Sequence, residues 1–173
     1  MPLVDTSNTT NMMSMFNNCK SLIAIAQLDT SNVTTMNSMF DTCSALTSIP
    51  LLNTNNLVST AFMFNNCSSL TTIPLLNTSN VTTMSIMFGN CRSLVTIPQL
   101  ATGKVTAMNG MFNNCPNLSN ESLNNILAMC INATSYTGTK TLNYIGISSN
   151  QATTCQTLSN YQAFLDAGWT TGY

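Results

Sequence analysis

The sequence has no histidine and very little charge, with only four Lys or Arg residues and five Asp or Glu residues among 173. Without histidine no Ser–His or Cys–His catalytic pair can form, and the few acids are scattered. The glycines form neither a phosphate-binding loop nor a dinucleotide fingerprint. We therefore expect a protein that is not an enzyme and that uses no cofactor.

The lack of charge also restricts the partners. A net charge of -1 provides no basic field to attract a phosphate backbone or acidic lipid head groups. No window approaches the roughly 18 consecutive apolar residues of a membrane helix. Met1 to Thr10 lack the basic and then apolar layout of a signal peptide. We expect neither nucleic-acid binding nor membrane insertion, and we expect any signal peptide or anchor to lie outside the sequence as given.

What the sequence does contain is a repeated motif. Met-Phe-x-x-Cys occurs five times at a spacing of 24 residues, beginning at Met15, Met39, Met63, Met87 and Met111. Other apolar positions recur at the same period, such as the column Leu22, Leu46, Leu70 and Leu94 and the column Ile25, Ile49, Ile73 and Ile97. Apolar positions fixed at such a period predict a solenoid, in which each coil buries its apolar side only against its neighbours.

Each unit divides into two halves with different local patterns. One half has apolar residues at relative positions 0, 3, 7 and 10, for example Val33, Met36, Phe40 and Cys43. That spacing predicts a short helix. The other half, for example 46–49, is richer in β-branched residues and predicts a short strand that ends before Pro50, which has no N–H to donate. The predicted fold class is an α/β repeat solenoid whose short strands pair in parallel between coils.

The repeats are predicted to occupy residues 1–118. "LVDTSNTTNM" near the start matches "QLDTSNVTTM" of the next unit, so the chain begins in the middle of a coil. We expect this end to be uncapped and able to self-associate. Residues 119–173 are predicted to form an α/β capping segment of the same domain. It would comprise a helix starting near Asn120, a last strand in "LNYIGI", and one or two short helices over 150–167.

The order of residues in one coil resembles that of a known family. Phe88, Cys91, Leu94, Ile97 and Pro98 follow one another as in the leucine-rich repeats of BspA-like bacterial surface proteins. The resemblance implies a right-handed α/β solenoid at a cell surface, with adhesion or protein binding as its role. The segment "LSNYQAFLDAGW" resembles the C-terminal ends of some phage-tail and gut-bacterial surface proteins. Neither resemblance supplies catalytic residues.

Several residue sets allow a structural and a functional interpretation. The cysteine column could form disulfides, but it shares a stripe with Phe and Val, which favours small buried side chains. Zinc is disfavoured because there is no histidine and no Cys-x-x-Cys pair. The methionines could bind copper, form a promiscuous hydrophobic groove or fill the core, and their columns favour the core. Asp5 and Asp29 could hold calcium or begin exposed turns, and the second is favoured because only two acids are available.

Recognition in a solenoid is expected at exposed positions that vary from coil to coil. The candidate partner-binding residues on the predicted strand side are Thr47, Thr71, Val95, Leu51 and Leu75, and those on the predicted helical side are Phe62 and Ile86. We expect a recognition or adhesion module at a bacterial or virion surface, located outside the cell, that binds a protein or a neutral glycan. The alternative is a structural spacer within a larger surface or phage-tail protein.

Overall fold

The computed structural model describes residues 4–173, so the first three residues of the predicted repeat region lie outside it. It shows five 24-residue coils lying on one another. The clearest sign is a column of parallel stacked rings, with neighbouring centroids 5.5–5.7 Å apart and interplanar angles of 4–9°, formed by Phe16, Phe40, Phe64, Phe88 and Phe112. The Cys and Leu columns of the second to fifth coils and the Ile column of the second to fourth coils are also buried. The internal columns expected from the period are therefore present.

The predicted strands are wrong. Residues 4–173 contain no extended strand, only isolated parallel bridges of one residue per coil. One row of bridges joins Asn11, Thr35, Ser59, Thr83 and Ala107, and a single bridge joins Thr72 to Thr96. On the predicted strand side, the Leu46 amide donates to the Cys43 carbonyl and closes a turn. Thr47 comes directly after this turn, and Pro50 comes three residues after Thr47. Too few residues remain there for a ladder. The chain is therefore not an α/β solenoid with parallel strands, and the leucine-rich-repeat class is also wrong.

The predicted helix within each repeat is wrong too. Each coil contains two residues with left-handed backbone, four positions apart, such as Ser38 at φ +54 and Thr42 at φ +64. An α-helix tolerates no such residues. The first column comprises Ser14, Ser38, Phe62, Ile86 and Gly110, and the second comprises Asn18, Thr42, Asn66, Asn90 and Asn114. The spacing of 0, 3, 7 and 10 thus arises from consecutive tight turns, whose third residue can require a positive φ.

The backbone amides along these turns alternate between two kinds of partner. The N–H groups of Ser38, Phe40 and Thr42 donate to carbonyls of the next coil at 3.0, 2.9 and 2.8 Å. The N–H groups that alternate with them, on Met39, Asp41 and Cys43, donate three residues back within their own coil at 3.1, 3.1 and 3.0 Å. Every amide of this stretch is therefore satisfied without a helix or a sheet.

Side chains add a second set of links between coils. A column of buried threonines donates hydroxyl hydrogen bonds to backbone carbonyls 23 or 27 residues ahead, from Thr6, Thr30, Thr78 and Thr102. These bonds measure 2.6–2.9 Å. These four hydroxyls form a ladder that links one coil to the next. Thr54, the fifth member, is equally buried but its hydroxyl has no hydrogen-bond partner.

The three helices of the described chain all lie beyond the repeats: α1, Asn120–Asn132; α2, Ser149–Cys155; and α3, Tyr161–Asp166. The N-cap of α1 is Ser119, one residue before the predicted Asn120, and its hydroxyl accepts from the Ser122 amide. Ser148 caps α2 in a reciprocal pair with Gln151. Within residues 4–173, no helix combines the length and the apolar composition needed to cross a bilayer.

The segment 141–147 continues the stack where a last strand was predicted. Its carbonyls on Tyr144 and Ile145 accept the amides of Gly110 and Phe112 at 2.8 and 2.9 Å, which are the positions a sixth coil would fill. The segment makes turns and one bridge, from Thr141 to Thr170, so the predicted strand is wrong. Behind it, Trp169 stacks on Tyr136 with centroids 5.3 Å apart. Phe164 lies against Trp169 with centroids 6.0 Å apart, so the capping segment contains an aromatic cluster of its own.

Candidate partner-binding surfaces

The predicted strand side forms one exposed surface, which we call the Pro face. It consists of the two outward columns on either side of the half-buried prolines, namely Ile23, Thr47, Thr71 and Val95, and Gln27, Leu51, Leu75 and Gln99. Leu51 and Leu75 are 63% and 62% exposed, although they are large apolar side chains in adjacent coils. Val95 is 42% exposed. Five of the seven predicted contact residues therefore share this face.

A groove of about 490 Å³ is lined by Leu51 and Leu75 together with polar residues that include Asp29 and Asn77. Turns fix these polar residues, because each Asx side chain accepts from the residue two positions later. The carboxylate of Asp29 accepts from the hydroxyl and the amide of Ser31 at 2.7 and 3.0 Å. These bonds lower the pKa of Asp29, with the hydroxyl as the larger cause. The groove thus joins an apolar wall to an ordered polar one.

Phe62 and Ile86 lie elsewhere, on the stretch of consecutive turns. Both have left-handed backbone, with φ of +58 and +55, where the other coils place serine or glycine. Bulky residues pay about 1–2 kcal/mol for that conformation. Strained residues are often functional. Neither Phe62 nor Ile86 is a residue type that marks a left-handed position, so the strain could not be predicted from the sequence.

Much of the Ile86 side chain is buried by packing against its neighbours. A Cβ added at Gly89 would lie 2.6 Å from its Cγ2, and one added at Gly110 would lie 3.3 Å from its Cγ1. Ile86 therefore fills space that these two glycines leave free, and it is half-buried. Phe62 is 38% exposed. Of this predicted pair, Phe62 offers the more accessible contact surface.

The first coil is more open than the others. Met15 is 43% exposed and Cys19 is exposed, whereas their equivalents in the next coil, Met39 and Cys43, are fully buried. The predicted self-association at this end would use these side chains, and it stays a prediction.

The cysteine column consists of buried free thiols, as the stripe pattern favoured, with Cys19 as the exposed exception. The thiols also act as donors. Four thiols each donate to the carbonyl oxygen of the phenylalanine 27 residues earlier, with sulfur–oxygen distances of 3.0–3.1 Å. They are those of Cys43, Cys67, Cys91 and Cys115. Among residues 4–173, no group of three or more His, Cys, Asp or Glu side chains is placed to hold a metal ion.

The burial of these thiols predicts that they react slowly and that the protein loses stability at alkaline pH. Desolvation raises the pKa of Cys43 to about 11 and that of Cys67 and Cys115 to about 12, from 9.0. Their contribution to the free energy of unfolding is complete below about pH 9 and is lost as the pH rises through about 11 to 12. We expect the urea midpoint to fall over that range.

Alkylation checks the same burial directly. At pH 8, iodoacetamide should modify Cys19 in the folded protein and all seven cysteines after denaturation. Mass spectrometry counts the adducts. Rapid modification of Cys67 or Cys91 without denaturant would contradict a closed column.

These features define a class: a repeat protein built from 24-residue coils that are joined by alternating turn and inter-coil hydrogen bonds. A comparison with known protein families supports the assignment to a repeat protein. The chain belongs to the family described as "Mycoplasma protein of unknown function, DUF285", whose model matches residues 3–95 and, in an overlapping second match, residues 48–140. Neither a curated protein nor a solved structure matches the chain. The prediction of a repeat protein is therefore confirmed.

Proposed function

We propose that this chain is a non-catalytic recognition module, displayed at a bacterial or virion surface, that binds a protein or a neutral glycan through the Pro face. The observation that carries the proposal is the adjacent pair Leu51 and Leu75, each more than 60% exposed beside a groove. Contiguous apolar side chains surrounded by polar ones are typical of contact sites. The placement outside the cell rests on the resemblance to BspA-like surface proteins.

The scaffold behind the Pro face supports this use. Amides on the face bond to the coil before them, as from Thr47 to Ile23 at 3.1 Å and from Val95 to Thr71 at 3.0 Å. The outward side chains are therefore held at fixed spacing before any partner arrives, which lowers the entropic cost of binding. The weak net charge favours a partner recognised by shape and apolar contact over a strongly charged one.

The test is the double variant Leu51→Ser/Leu75→Ser. Wild-type protein and variant are applied to arrays of surface proteins and of neutral glycans, and the dissociation constant is measured for each partner found. We expect the variant to lose roughly tenfold or more in affinity. Its melting temperature should move by no more than about 2 °C, because both side chains are exposed.

A matched control is Val58→Thr, which removes an apolar side chain that is 48% exposed in a different column. Thr34, Thr82 and Thr106 occupy the same position in other coils, so the fold accepts the change. The control should bind like the wild type. Equal losses in both variants, or an unchanged affinity in the leucine variant, would refute the Pro face as the binding site.

A structural spacer is the second candidate, and the unbroken ring column from Phe16 to Phe112 favours it. A rigid stack needs no partner along its sides. If the wild-type protein binds nothing on either array, the spacer replaces the recognition module.

A further inference from the structure

A second groove, of about 530 Å³, lies away from the Pro face and was not expected from the sequence. It is lined by Lys20, Thr42, Ser44, Asn66, Ser68, Asn90 and Arg92. Lys20, Ser44, Ser68 and Arg92 occupy one column, so a cation stands at each end with two serines between them. Three coil steps of 5.5–5.6 Å, measured between the stacked rings, place positions 20 and 92 about 16–17 Å apart along the stack. We call this surface the Lys20–Arg92 groove.

The two cations of the groove, Lys20 and Arg92, differ from the other two cations of the described residues in their hydrogen bonding. The other two are engaged, since Lys104 donates to the Asn80 side chain at 2.7 Å and Lys140 donates to the Ala167 carbonyl at 3.3 Å. Within residues 4–173, no hydrogen bond or ion pair uses the ammonium of Lys20 or the guanidinium of Arg92. Both side chains are exposed. They are therefore available to an anionic ligand.

The surface between the cations offers mainly N–H donors. The Asn90 amide donates to Asn66 and the Asn66 amide donates to Asp41, at 3.0 and 3.3 Å. A primary amide has two N–H groups, so each donor in this ladder retains one for a ligand. The hydroxyls of Ser44 and Ser68 donate to backbone carbonyls of the preceding coil, so their oxygens remain able to accept a hydrogen bond. No apolar side chain lines the groove.

The nearest carboxylate is already occupied. Asp41 accepts from the Thr42 hydroxyl at 3.0 Å and from the amides of Asn65 and Asn66 at 3.0 and 3.3 Å. It is not among the residues that line the groove. The lining therefore carries two positive charges in a chain whose net charge is -1.

We propose that the Lys20–Arg92 groove binds an acidic polysaccharide. Its carboxylate or sulfate groups contact Lys20 and Arg92, and its hydroxyls contact the amides and serine oxygens between them. The separation of the cations requires a ligand that repeats its acid groups along its length. The lining between the cations consists of amide and hydroxyl groups. Sugar hydroxyls both donate and accept hydrogen bonds, so they can use these groups more fully than the carboxylates of an acidic peptide, which only accept.

The experiment compares Lys20→Gln/Arg92→Gln with Lys104→Gln/Lys140→Gln, which lowers the net charge by the same amount outside the groove. The probes are heparin for sulfate groups, alginate for carboxylate groups, poly-glutamate for an acidic peptide and dextran for a neutral chain. Calorimetry gives the affinities, and circular dichroism checks that each variant is folded. We expect the wild type to bind heparin or alginate but not dextran, and the groove variant to bind roughly tenfold or more weakly.

The outcomes separate the alternatives. The control variant should keep the wild-type affinity within about twofold, and added salt should weaken wild-type binding. Equal losses in both variants, tighter binding of poly-glutamate, or no binding of either acidic polysaccharide would each overturn the proposal. Leu51→Ser/Leu75→Ser should bind the acidic polysaccharide normally, so failure here is distinguishable from failure of the proposed function.

Discussion

Replacing Phe64 by alanine is expected to lower the free energy of unfolding by about 4 kcal/mol, within the range for a fully buried phenylalanine. The ring stacks between Phe40 and Phe88 at 5.5 and 5.6 Å, so its removal opens a cavity in the middle of the column. Both neighbouring rings lose a contact at once. Urea denaturation followed by circular dichroism measures the change.

The matched control for this loss is Phe62→Ser, two residues earlier. Phe62 is 38% exposed, and serine occupies the same left-handed position in the first two coils. Its replacement should change the free energy of unfolding by no more than about 1 kcal/mol. If the two variants lost the same amount, the interior column would not be the core of the protein.

A second large effect is expected from Gly146→Ala, at the junction between the last coil and segment 141–147. Gly146 has φ +96, and an added Cβ would lie 2.8 Å from the Asn113 Cα and closer still to its backbone nitrogen. Backbone atoms cannot rotate away as a side chain can, so the junction must open. We expect a loss of about 3–4 kcal/mol, from the left-handed conformation and overpacking together.

Gly168→Ala separates these two causes. Gly168 also has a positive φ, +82, but an added Cβ there would meet nothing within 4 Å. It should therefore cost only the conformational part, about 1–2 kcal/mol. Thermal unfolding of both variants gives the comparison. A loss in Gly146→Ala no larger than that in Gly168→Ala would show that the close approach to Asn113 contributes nothing.

The sequence predicted the positions that lie inside but not the backbone that places them there. The 24-residue period placed Phe40, Phe64 and Phe88 in one column, and the structure stacks them. A period identifies equivalent positions whatever conformation connects them. The interior could therefore be derived from repetition alone.

The helix prediction failed because two kinds of backbone share one apolar spacing. Residues at 0, 3, 7 and 10 face one side of a helix, but they also face one side of consecutive tight turns. The available signal was the column containing Asn18, Asn66, Asn90 and Asn114. Asparagine is the residue after glycine that best tolerates left-handed backbone, so its recurrence at a fixed position favoured turns. The strand prediction failed because β-branched composition says nothing about how many residues can pair.

The exposed leucines of the Pro face could be identified from the sequence, whereas the Lys20–Arg92 groove could not. Leu51 and Leu75 stood out because they are apolar where Gln27 and Gln99 are polar, and they are indeed exposed. The Lys20–Arg92 groove was missed because its cations are three coils apart and look isolated in the sequence. Only the stacking brings them to the two ends of one surface.

The alternation of amide partners has a mechanical consequence. Bonds between coils point along the long axis of the molecule, whereas bonds within the turns keep each coil closed. Tension applied to the two termini therefore loads the coil junctions one after another, in the manner of a zipper. The released length comes in packets of one coil, about 80 Å of extended chain for each 24 residues. Under load, such a stack would lengthen in discrete steps, one coil at a time, and would shorten again when the coils re-form their contacts.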